Sequence, residues 1–126
     1  MTIREKLQAA LDNTGVKAFW RRRVEILGDE NTDEYVVYTI DGDYERFFAD
    51  DQTVLREATA TVLYYCRTER FDTEAGRRAI EEKTEEILSA LRAAGFTVPS
   101  GAFNSGDIDA SGYDATIIEC SYERVV

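Results

Sequence analysis

Carboxylates hold most of the chemical potential of this chain. It has 25 Asp and Glu against 15 Lys and Arg, a net charge of -10, and no histidine. Without imidazole it lacks the commonest general base and metal ligand. Catalysis would have to rest on acids such as Asp50, Asp51 and Glu119 gathered around a divalent cation. The sequence holds no Gly-rich phosphate loop, nucleophile elbow or paired metal motif. The run GDIDASG at Gly106 to Gly112 spaces its acids somewhat like a calcium loop. It lacks the third liganding position and the closing Glu, so calcium is not expected there. Cys66 and Cys120 are too few for a zinc site. Each falls in a predicted strand among apolar or small residues, which predicts buried free thiols in a reducing compartment. These readings predict no enzyme, no metal and no cofactor.

Charge bounds the partners. An acidic surface with a pI near 4.5 repels phosphate, which argues against tight binding to nucleic acid. The one basic cluster is Arg21-Arg22-Arg23. It reads either as a solvated turn or charged edge strand, or as a contact for an acidic partner, including another copy of the chain. No apolar run approaches the ~20 residues that span a bilayer, and MTIREKLQAAL is amphipathic and carries acid, unlike a signal peptide. Synthesis and residence in the cytoplasm are expected. The 126 residues suggest one domain, long enough to bury a core without disulfides.

The elements that must position these residues follow from periodicity. Thr2 and Glu5 form a capping box ahead of a helix from Ile3 to Asn13, with Gly15 closing it. Val16 to Leu27 reads as extended. Tyr35 to Asp41 and Leu55 to Thr68 are strands, rich in β-branched and aromatic residues. Alternation in the second puts Ala60, Val62, Tyr64 and Cys66 on one face, and Thr61, Leu63, Tyr65 and Arg67 on the other. Both rows are mixed, which predicts a central strand covered on both sides, at least in an assembly. Gly42 to Thr53 between them reads as a long loop. A long helix runs from an N-cap at Asp72 or Thr73 to about Ala94. Ile80, Thr84, Ile87, Leu88 and Leu91 form its inner stripe, and Glu81, Glu82, Glu85 and Glu86 its wet face. A short FTV strand stops at Pro99, Ser100 to Gly112 reads as a mobile segment or hairpin tip, and Tyr113 to Val125 is the last strand. The expected fold is α+β: an antiparallel or mixed sheet of about four strands with two main helices packed on one face.

These words in this order resemble the small head–tail connector proteins of long-tailed bacteriophages and prophages, and among them the tail terminator (tail completion) proteins. The resemblance is carried by YVVY at Tyr35 to Tyr38, FFADD at Phe47 to Asp51, LYYCRT at Leu63 to Thr68, the helix exit Gly95-Phe96, and the aromatic-acidic strand YDATIIECSYERV. It covers roughly Tyr35 to Val126, while KAFWRRRVEI matches no word of the group. It implies that residues 1–126 form a single tail-terminator-like domain with a structural role in the virion. The chain would form a ring, usually of six subunits, that caps the finished tail tube, stops its polymerisation and meets the head-side connector. DNA would pass through the lumen without specific binding, and no membrane would be involved.

A closed ring needs head-to-tail interfaces, in which one patch docks on a different patch of the next copy. Such patches use apolar, often aromatic, anchors inside a polar rim. Phe47 and Phe48 either tuck onto their own sheet or dock on a neighbouring subunit or the tail tube. Asp50 and Asp51 beside them would keep the free subunit soluble. Phe103 is a second candidate anchor, Arg21, Arg22 and Arg23 are candidate contacts, and Trp20 could be core or interface. Three rivals stand beside the terminator: a head-completion or stopper protein of the same connector, a monomeric binding module, and a small carboxylate–metal enzyme.

Overall fold

The structure, a computed structural model, describes residues 1–22, 33–47, 54–107 and 110–125. Helix α1 (Ile3–Asp12) starts where the capping box requires: the Glu5 amide donates to Thr2 Oγ1 at 3.1 Å, and the Thr2 amide donates to Glu5 Oε1 at 3.4 Å. Asn13 caps its other end, and Gly15 takes a left-handed φ of 78°. Among the described residues five strands follow in the order β1 (Ala18–Trp20), β2 (Glu34–Phe47), β3 (Val54–Arg67), β4 (Ala102–Gly106) and β5 (Tyr113–Val125), with α2 (Glu74–Ala93) between β3 and β4. Across the sheet the order is β1-β2-β3-β5-β4. β1 is parallel to β2 and all other pairs are antiparallel, so the sheet is mixed.

One face of the sheet is packed by both helices. Ile3, Leu7 and Leu11 of α1, with Ile80, Ile87, Leu88 and Leu91 of α2, share a core with Val36, Tyr38, Val62, Tyr64, Ile118 and Cys120. The alternation read from β3 holds, since Ala58, Ala60, Val62, Tyr64 and Cys66 are all buried. Leaving a buried hydroxyl unpaired costs ~1–3 kcal/mol, and the two fully buried tyrosines, Tyr38 and Tyr64, avoid that cost. Tyr64 donates to Glu34 Oε2 at 2.5 Å, and Tyr38 donates to Gln8 Oε1 at 2.5 Å. Arg70, in a 3-10 turn (Thr68–Asp72), adds a contact to Glu34 Oε2 at 3.3 Å.

The second helix is fixed at both ends. Thr73 Oγ1 accepts from the Gly76 amide at 3.0 Å. A Cβ at Gly76 would stand 1.9 Å from the Arg70 carbonyl oxygen, so only glycine lets the 3-10 turn lie against the first turn of α2. At the C-terminus the Phe96 amide donates to Leu91 O and the Gly95 amide to Arg92 O, each at 3.0 Å. Gly95 has φ 95° and Phe96 is buried against Tyr122, which completes the expected Schellman cap.

Four expectations are corrected. Gly42 to Thr53 is not one long loop: β2 runs on to Phe47 and β3 resumes at Val54, paired along the whole length. The ladder survives the acids and Gly42 because a bulge between Ile40 and Gly42 absorbs the irregularity. The Asp41 carboxylate accepts there from Thr39 and Thr61, at 3.1 and 2.6 Å. Ser100 to Gly112 contains a real strand. β4 lies at the sheet edge, where one ladder suffices and a Gly/Ser-rich sequence is tolerated. Asn104 Oδ1 accepts from the Gly106 amide, and Ser105 donates to Ala115 O. Of the extended segment expected from Val16 to Leu27, the described residues form a strand at Ala18–Trp20 and residues 23–27 lie outside the described residues, while Thr97 makes a single bridge to Ser121 in place of an FTV strand.

Candidate functional site

Three surfaces stand out, and sequence reasoning had named parts of each. The first is the arm made by the distal parts of β2, β3 and β5. Ala58 is its last fully buried residue on β3. Beyond it the ladder continues through Glu57 to Val54, opposite Tyr44 to Phe47 on one side and Glu123 to Val125 on the other. Arg56 clasps Asp43 with two bonds of 3.0 and 2.8 Å, and Tyr44 donates to Glu57 at 2.7 Å. The guanidinium holds the Asp43 carboxyl below the ordinary carboxylate range, chiefly through those hydrogen bonds. The backbone of Phe47 pairs with Val54 at the end of this ladder. Phe48, Asp50 and Asp51 lie outside the described residues.

The second surface surrounds Trp20, the last residue of β1, which is 47% exposed. Arg4 of α1 stands 5.5 Å from the indole centroid and Arg21 stands 6.0 Å from it. Trp20, Arg21 and Arg22 together line a depression of about 420 Å³. Arg21 turns out of the strand with a left-handed φ of 72°, while its amide still donates to Tyr38 O at 2.8 Å. The positive φ redirects the chain immediately after the tryptophan. Arg23 lies outside the described residues. Sequence reasoning saw the arginine run and missed Arg4, which comes from a different element and reaches Trp20 only in the folded chain.

The third surface is a groove of about 770 Å³ between α2 and the β4 edge. Phe71, Ile80, Leu88 and Ala102 supply buried or half-buried apolar lining, while Glu81 and Glu85 are exposed along it. Arg92 adds one positive charge, and Phe103, 48% exposed, borders it from β4. The acidic helix face read from sequence therefore includes one wall of this groove.

On the sheet face opposite the helices, Tyr35 stacks on Tyr65 at 4.9 Å and meets Tyr113 edge-on at 5.2 Å, with Phe19 at 6.5 Å. Arg67 lies 5.3 Å above Tyr113. No helix of the described residues covers this face, so β3 is central but helix-covered on one side only.

The groups with reactive potential are placed structurally. Cys66 and Cys120 are free and buried, and burial pushes their thiols up to about 11 and about 12. Cys120 pairs with Ala60, six positions along β3 from Cys66, so the two thiols are not neighbours. A thiol in that state is a poor nucleophile near neutrality. Burial also raises the Tyr64 phenol. Among the described residues no three Asp, Glu or Cys side chains gather where one metal ion could sit. No described helix is long and apolar enough to cross a membrane.

No family model matches the chain, and no curated protein matches it. A solved structure is similar over 100% of this chain and 97% of its own length, with 12% identity and a TM-score of 0.49. At that level the likeness assigns neither family nor activity.

Proposed function

We propose that this protein is a structural subunit of a phage or prophage head–tail connector, a tail terminator that assembles as a ring on the end of the tail tube. It ends tube polymerisation and offers its other side to the head-side connector or stopper protein. The observation that carries the reading is the arm. The FFADD word of the resemblance begins at the end of a three-stranded ladder whose outer part lies beyond the core. The four residues Tyr44 to Phe47 beyond the core reach about 13 Å at ~3.3 Å each. A ladder of that length suits a limb that sets an apolar anchor on a neighbour. Net charge supports the same reading: -10 per copy suits a lumen that DNA must traverse without being gripped.

The test is a mass measurement by light scattering across concentration and salt, with electron microscopy of the same samples and of mixtures with purified tail tubes. Rings, or density capping tube ends, are the expected result. Binding to the portal or adaptor instead of the tube would move the protein to the stopper position. A persistent monomer that ignores tube ends would overturn the proposal.

A further inference from the structure

The Trp20 patch and the groove occupy opposite edges of one sheet, and they are complementary. One is a half-exposed indole set among Arg4, Arg21 and Arg22. The other is an apolar cleft flanked by Glu81 and Glu85. We propose that Trp20 and its arginines on one copy dock in the α2–β4 groove of a second copy, and that this is the repeating head-to-tail contact between subunits.

The sheet register supports the pairing. Trp20, Tyr38, Val62, Ile118 and Ala102 form a single row across all five strands. Paired residues project from the same face, so the indole lies on the helix-packed side, at the level of the Ala102 that lines the groove. The two ends of the row are about 19 Å apart at ~4.8 Å per strand. A second copy set beside the first therefore meets its groove with little shift along the strands. Such a head-to-tail contact generates a ring where the rotation between copies closes and a filament where it does not. Backbone direction adds to this. The Val36 amide donates to Lys17 O and the Arg21 amide donates to Tyr38 O, so the alternate residues Ala18 and Trp20 turn their backbone groups away from β2. Gln8 Nε2 occupies the Ala18 carbonyl at 3.3 Å, so the next copy is met by side chains more than by an added strand.

Charge and shape then select the occupant. On a chain of net charge -10, an Arg-framed tryptophan is suited to another acidic surface, and each copy carries one. An aromatic with flanking arginines in a largely apolar pocket is the usual make-up of an interface hot spot. Arg92 in the groove sets a limit on how closely guanidinium groups approach that end.

The inference rests on the self-assembly part of the reading above and not on the phage-tail assignment. It is tested by disulfide trapping in the full chain, whose two native thiols are buried. Arg22→Cys and Glu85→Cys, both at exposed positions, are made singly and together. Mild oxidation of the mixed single variants should give a covalent dimer, neither single variant alone should do so, and the double variant should give a ladder ending at the ring size. Independently, Trp20→Ala should weaken self-association on the order of 30-fold. Arg21→Glu with Arg22→Glu should abolish it, and mixing that variant with Glu81→Arg/Glu85→Arg should restore pairing. Unchanged circular dichroism confirms that each variant folds. Crosslinking by one single variant alone, self-association indifferent to Trp20, or a wild-type chain that stays monomeric throughout would each overturn the inference. A monomer that still caps tube ends would sink this contact and leave the terminator reading standing. A ring trapped through these cysteines that ignores tubes would do the reverse.

Discussion

The two faces of the sheet are built from the same strands and both carry large apolar side chains, yet they do different work. On the helix side, Val36, Tyr38, Val62, Tyr64 and Ile118 are fully buried. On the other side, Tyr35, Leu63, Tyr65 and Ile117 are half-buried, and the cohesion comes from rings touching rings across strands. The contrast teaches that an apolar row along a strand does not by itself identify the core. The core is the row that meets an amphipathic helix, and here both helices meet the same one.

Substitutions can break that contrast or sharpen it. Leu91→Ala on α2 empties a fully buried site and should cost about 2–5 kcal/mol in urea unfolding. If it costs no more than a change on the tyrosine face, the two faces are energetically alike and the comparison fails. The buried thiols give a pH signature of the helix side. Their native pKa values, about 11 and about 12, exceed the ~8.5 of an unfolded cysteine. The unfolded chain therefore loses these protons first as pH rises. Stability is complete below the unfolded value and is lost as pH climbs through the native ones. Denaturation midpoints measured from pH 7 to 11 should fall, and Cys120→Ala should flatten that fall.

On the opposite face, Tyr65→Leu keeps bulk but removes the stack on Tyr35, and about 0.5–1.5 kcal/mol should go with it. A larger loss would mean that this face carries part of the core. The smallest effect belongs to the arm. Asp43→Asn breaks the clasp with Arg56, whose side chains are 33% and 27% exposed, so solvent screening holds the loss to about 0.5 kcal/mol. Because the native Asp43 pKa is lowered, its contribution exists above the unfolded value near ~3.9 and disappears as pH falls through the native one. The variant should lose its difference from wild type on the acid side.

Much of the helix-side architecture was legible. Thr2, Glu5, Thr73 and Gly95 are local signals whose partners lie within a few residues, and all four place helix ends. The strands β3 and β5 announce themselves by alternation, and the same rows are buried in the fold. The arm was not legible, because Gly42, Asp43 and Tyr44 look like a turn until the bulge and the Arg56 and Glu57 partners across the ladder are known. β4 was hidden for a related reason: its Asn104, Ser105 and Gly106 have low strand preference, and what makes it a strand is the long neighbour β5. The Arg21-Arg22 cluster was visible as a run, while Trp20 stayed undecided between core and surface. Its exposure depends on β1 being an edge strand, and its setting depends on Arg4 arriving from α1.

The placement of β3 also sets an order of events for a chain leaving the unfolded state. β2 and β3 are consecutive, so their ladder closes over a short span. β5 reaches β3 only across an interval such as that between Thr68 and Asp114, 46 residues apart, with α2 and β4 in between. Local pairings form sooner than distant ones. During that interval the far edge of β3, with its LYYC run, has no strand beside it. A chain that stalls there, or one shortened before β5, presents an apolar edge ready to pair with any other strand. In the folded chain the thirteen residues of β5 cover that edge along its length.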